Sequence, residues 1–110
     1  MDNHVREERG TVIVEFRGEI DLEQSPKARS ILLECVGRGG PVLVDLSAVT
    51  YMDSSGVASL VEALQKARAA VQSFALAAPS PAVARVLELA RLDKVFAIHT
   101  NVGEGIDGGA

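Results

Sequence analysis

The sequence predicts an α/β fold: a mostly parallel sheet of four to five strands with helices packed on it. Three observations predict it. Short apolar or β-branched runs at 11–18, 41–47, 73–78 and 94–99 alternate with segments whose apolar residues recur at helical spacing. The run PVLVDLS (41–47) is nearly continuous in apolar residues, as a strand buried on both faces is. Strands that alternate with helices imply right-handed crossovers between parallel neighbours.

Each element follows from its residues. Residues 1–10 are charged, with Val5 the one apolar residue beyond Met1, and read as a lead-in or a weak edge strand. TVIVEFRG (11–18) alternates, with Val12, Val14 and Phe16 on one face and Thr11, Ile13 and Glu15 on the other; Gly18 closes it. In EIDLEQSPKARSILLECVGRGG, Ser25 suits an N-cap and Pro26 a first helical position. Ala28, Ile31, Leu32, Cys35 and Val36 then form one stripe, and Gly37, Gly39 and Gly40 end the helix. A second helix begins after Met52, with Val57, Leu60, Val61, Leu64 and Val71 assigned to its apolar face. SFALAA (73–78) is a strand. Ser80 and Pro81 cap and open a third helix carrying Val83, Val86, Leu87 and Ala90, and KVFAIH (94–99) is the last strand. The domain is expected to span 1–110, with a core of about 10–99. The tail 100–110 has four glycines in eleven residues, for which little order is expected.

Composition narrows the function. Hydrophobic residues make up 47% and charged residues 24%, enough for a core in one 110-residue domain. Aromatics are only 4%, which argues against stacking platforms for bases, and the net charge of -4 disfavours nucleic acid and anionic lipid. Cys35 is the single cysteine, so neither an internal disulfide framework nor a Cys-rich zinc site is available. The N-terminus lacks a signal-peptide core, and no apolar run approaches the length of a membrane span. A cytoplasmic setting without membrane insertion is expected.

The segment VLVDLSAVTYMDSSG (42–56) carries the chemistry. It is expected to hold a strand, a short loop after Ser47, and the start of a helix, at the strand ends where α/β sheets gather ligands and partners. A helix beginning near Ser54 or Ser55 leaves N–H groups unpaired, and Asp53 or Ser54 can cap them. Gly56 allows close packing. The alternative is a phosphorylation switch on one serine, since a helix N-terminus tolerates a dianion. Spacing separates neither the two roles nor Ser54 from Ser55.

VLVDLSAVTYMDSSGVASLVEAL closely resembles the signature of STAS domains, especially small bacterial anti-sigma factor antagonists. GEIDLEQSPKARSILLE and SPAVARVLELARLDKVFAI are similar to the family's first helix with its preceding loop, and to its third helix and last strand. The resemblance covers roughly 10–98. It implies a non-enzymatic binding module without a cofactor. Ser54 would be phosphorylated by a partner that is both anti-sigma factor and serine kinase, whose own ATP and magnesium serve the reaction, and a serine phosphatase would reset it. The binding face would include Asp21, Asp53, Ser54, Ser55 and Gly56. The family often ends in a further helix, which the glycine-rich tail here would leave short or missing. The helix GVASLVEALQKAR also resembles STAS proteins of ABC lipid transporters, which bind the transporter ATPase.

Other readings fit less well. A receiver domain would use Asp45 as phospho-acceptor, yet the first clear strand lacks a following acidic pair, and Lys94 opens the last strand instead of closing it. Neither His4 nor His99 is positioned by sequence to activate Ser54. GRGG (37–40) follows a helix and reads as its stop. Cys35 reads as a packing thiol, Asp45 as a strand-end acid bonding its loop, and no metal site is expected of Asp21, Asp45 and Asp53.

Overall fold

The β-branched runs become the centre of a five-stranded sheet. In the computed structural model, which describes residues 1–108, the order is β1 (Asp2–Glu8), β2 (Thr11–Ile20), α1 (Ser25–Gly37), β3 (Val42–Met52), α2 (Ser54–Ala69), β4 (Phe74–Ala77), α3 (Pro81–Leu89), β5 (Ala97–His99) and α4 (Val102–Asp107). The strands lie in the order β1-β2-β3-β4-β5. β1 is one of the two edge strands and runs antiparallel to β2, and the other pairings are parallel. The charged side chains of β1 discourage pairing with a further strand.

Period two sorts the sheet's side chains onto two faces. Val12, Val14, Phe16, Val42, Val44 and Leu76 pack with α1, α2 and α3 residues such as Leu32, Leu60 and Leu87 in the main core. Ile13, Leu43, Ala75 and Ala77 form a smaller cluster on the other face, covered by Val102 and Ile106 of α4. Each large aliphatic side chain buried here contributes about 1.5–3 kcal/mol. Cys35 lies 1% exposed in the main core, and burial pushes its thiol pKa up, as suits a packing residue.

Several boundaries differ from the sequence reading, each for a local reason. The tail contains α4: Asn101 accepts a hydrogen bond from the Glu104 N–H at 2.8 Å, and the Glu104 carboxylate accepts one from the Thr100 N–H at 3.1 Å. A Cβ at Gly105 would come within 2.7 Å of Leu43 Cδ2, so this glycine brings the helix close to the sheet. Ser25 is not a cap. Gln24 takes that position without a side-chain bond, and Ser25 Oγ donates to the Leu22 carbonyl at 3.3 Å. Val71 is 93% exposed rather than on the apolar face of α2, because the helix ends at Ala69 and the chain turns at Val71 with φ of 56°. The last strand starts only at Ala97, since Asp93 to Val95 form a turn and Phe96 a bend. Ser80 caps α3 as expected, accepting from the Val83 N–H at 3.3 Å.

Candidate functional site

The site stands on strands that outrun the sheet. β4 pairs with β3 only from Val42 to Asp45, whereas β2 follows β3 as far as Met52. The expected loop after Ser47 is therefore strand, and β2 runs through Gly18 to Ile20. Register passes from Glu15↔Asp45 to Arg17↔Ala48, and from Gly18↔Val49 to Glu19↔Tyr51, so β3 carries an extra residue at each step. Asp45 holds the first bulge: its carboxylate accepts from the Ser47 N–H at 3.0 Å and from Ser47 Oγ at 2.7 Å. It is 7% exposed and bonded within its own strand.

At the end of this two-stranded arm, Asp53 joins three pieces of chain. Its N–H donates to the Ile20 carbonyl at 3.5 Å, closing the β2–β3 pairing. Its carboxylate caps α2, accepting from the Ser55 N–H at 3.0 Å and the Gly56 N–H at 3.4 Å. Ser55 Oγ donates a short hydrogen bond to the same oxygen. The Leu22 N–H, in the loop that leaves β2, faces the carboxylate and helps to lower its pKa. These bonds hold the Asp53 carboxyl below the usual aspartate range, with the Ser55 hydroxyl the largest cause, against a partial desolvation. Gly56 fits tightly beneath the cap, where a Cβ would lie 2.7 Å from Met52 Cγ and 3.0 Å from the Ile20 carbonyl oxygen.

The two serines thus differ. Ser54 is the first residue of α2 and is exposed, and no hydrogen bond engages its hydroxyl among the described residues. Ser55 is half-buried and spends its hydroxyl on Asp53. Asp21 lies in the adjoining loop, where its carboxylate accepts from the Gln24 N–H at 3.0 Å. The fold therefore brings Asp21, Asp53, Ser54, Ser55 and Gly56 to one end of the β2–β3 arm.

Three features escaped the sequence reading. Leu22 is 74% exposed and Tyr51 48% exposed at this end of the sheet. Leu22 had one signal, shared with Ile20: both are apolar residues among Glu19, Asp21 and Glu23 that belong to no helical stripe. An open groove of about 260 Å³ also runs between α1 and α2, lined by Pro26, Ala58 and Ser59 among others. Arg29 and Glu62 form a two-bond ion pair along it, which holds the Glu62 carboxyl below its usual range. Among the described residues no group of three His, Cys, Asp or Glu is placed to hold a metal ion, and no helix is long and apolar enough to cross a membrane.

The sequence model for the STAS domain matches residues 4–105. The chain belongs to the STAS domain family. This STAS domain is 33% identical over 88 residues to the anti-sigma-B factor antagonist of Listeria monocytogenes, covering 79% of this chain and 77% of that protein. The crystal structure of an anti-sigma factor antagonist from Mycobacterium paratuberculosis matches with a TM-score of 0.89 at 27% identity, over 98% of this chain and 92% of that one. The Bacillus cell fate determinant SpoIIAA in its phosphorylated form shares the fold, with a TM-score of 0.76 at 22% identity over 97% of this chain and 98% of that one.

Two predictions follow from the geometry of this STAS domain. Gly56→Ala improves helix propensity yet lowers stability by about 1–3 kcal/mol in urea denaturation, because the added methyl collides with Met52 and the Ile20 backbone. The Asp53 carboxyl is depressed in the folded state, so its stabilisation is complete above the unfolded value of about 3.9 and is lost as pH falls through the folded value. The stability advantage of wild type over Asp53→Asn, followed by denaturation from pH 7 to pH 2, is therefore expected to shrink only below about pH 4.

Proposed function

We propose that this STAS domain is a cytoplasmic anti-sigma factor antagonist with no catalytic activity of its own. It binds an anti-sigma factor that is also a serine kinase, and so frees a sigma factor. The kinase transfers the γ-phosphoryl group of its ATP to Ser54 Oγ, with loss of the hydroxyl proton and release of ADP. The phosphorylated domain lets go, and a serine phosphatase hydrolyses the ester to restore it. Asp21, Asp53, Ser54, Ser55 and Gly56 belong to the binding face.

The observation that carries this reading is the contrast between the two serine hydroxyls, one exposed and free at Ser54 and the other tied to Asp53 at Ser55. The consequence of phosphorylation follows from the same geometry. The Ser55 and Gly56 N–H groups at the start of α2 already donate to Asp53. A phosphate on Ser54 brings a charge of about -2 beside that carboxylate, where those two donors are already engaged. A partner surface packed against a neutral serine then meets added bulk, charge and bound water. The antagonist relatives and the phosphorylated form known for a protein of the same fold support the assignment.

Titration against the purified anti-sigma factor tests it. Wild type and Ser54→Ala are expected to bind alike, and Ser54→Asp at least about thirty-fold more weakly, with an unchanged circular dichroism spectrum. Equal binding by Ser54→Asp would contradict the switch. Wild type that binds the ATPase of an ABC lipid transporter, and no anti-sigma factor, would make the domain a transporter subunit instead.

A further inference from the structure

We propose that Leu22 is the apolar anchor of the face around Ser54, seated in the bound state in an apolar pocket of a partner protein, with cationic side chains at the pocket's rim. The inference rests on the reading that this face binds a protein, and it names the residue that supplies the grip and the chemistry that receives it.

Leu22 is 74% exposed, so in the free domain most of its side chain is in water. Exposed leucines are common, and Leu89 is 75% exposed on this same domain. What sets Leu22 apart is the turn that holds it. The Leu22 carbonyl accepts from Ser25 Oγ at 3.3 Å. On either side, Asp21 fastens the turn through the Gln24 N–H, bonded by its carboxylate at 3.0 Å and its carbonyl at 3.1 Å, and through the Ser25 N–H, bonded by its carbonyl at 2.8 Å. The Leu22 carbonyl is satisfied within the turn, and the Asp53 N–H, bonded to the Ile20 carbonyl at 3.5 Å, ties the chain just before the turn to the cap beside Ser54. An apolar side chain on a turn already fixed loses little further freedom when it docks, which is how a few anchors come to dominate an interface.

Charge names the receiving surface. Glu19, Asp21 and Glu23 alternate along the chain around Leu22, and Asp53 joins the same end through its N–H bond to the Ile20 carbonyl. Glu19 and Glu23 are exposed. A pocket that accepts Leu22 therefore faces carboxylates at its edge, and cations there are the complement.

The test places a photo-crosslinking p-benzoylphenylalanine at position 22 or, separately, at position 58 in the full chain expressed in its native host. Each adduct is identified by mass spectrometry, and the captured protein is then purified and titrated. Leu22→Ala is expected to weaken binding about thirty-fold, while Leu22→Met and the control Leu89→Ala stay within about threefold of wild type. All three variants are expected to melt as wild type does. Affinity is expected to fall with added salt, and a salt-independent affinity would overturn the cationic rim. A Leu22→Ala affinity near wild type would overturn the anchor while the proposed function stands. Capture at 22 of a different protein that depends on Leu22 would keep the anchor and overturn the anti-sigma reading. No adduct at either position would overturn both.

Discussion

The Asp53 carboxylate is the interaction on which the site depends. It satisfies two orphan N–H groups at the start of α2, takes the Ser55 hydroxyl, and faces the turn after β2, where the Leu22 N–H helps to lower its pKa. Without it the helix start and the serine pair would have no common tie. Like any aspartate it is ionised at neutral pH, and with its pKa lower still one charge organises the start of α2 and the serine pair. The same bonds give neighbouring serines different chemical characters, since Ser55 becomes part of the cap and Ser54 is left to solvent.

That arrangement needs a firm support, which the central strands provide. β2 and β3 are buried on both faces at their starts, with Ile13, Val14, Leu43 and Val44 each 0% exposed. Beyond Asp45 the pair continues without β4, and the two bulges on β3 bend the arm. The close fit of Gly56 under Met52 and Ile20 then brings the helix onto the arm's end. α4 completes the opposite face by its approach to Leu43.

Much of this was legible in the residues. The alternation of strands and helices, the cap at Ser80, the packing role of Cys35 and the candidacy of Asp53 as a cap follow from propensity and spacing. What escaped had physical causes. The bulges at β3 break period two, so SAVTYM did not read as strand. Glycines in the tail read as disorder, whereas Gly105 serves close approach. Val71 sits seven residues after Leu64, which fits a helical stripe, but the helix stops before reaching it. Ser25 has a cap's side chain, yet Asp21 and Leu22 draw its N–H and hydroxyl into the turn. The distinction between Ser54 and Ser55 was out of reach because it depends on one hydrogen bond to Asp53.

That hydrogen bond decides which serine hydroxyl stays open to a modifying group. Phosphosite mapping by tandem mass spectrometry, on the chain isolated from its native host, tests this most directly. The account predicts phosphate on Ser54 and none on Ser55. Phosphate on Ser55 would contradict it, because that hydroxyl would then be free of the cap, and an unmodified pair under every growth condition would remove the switch.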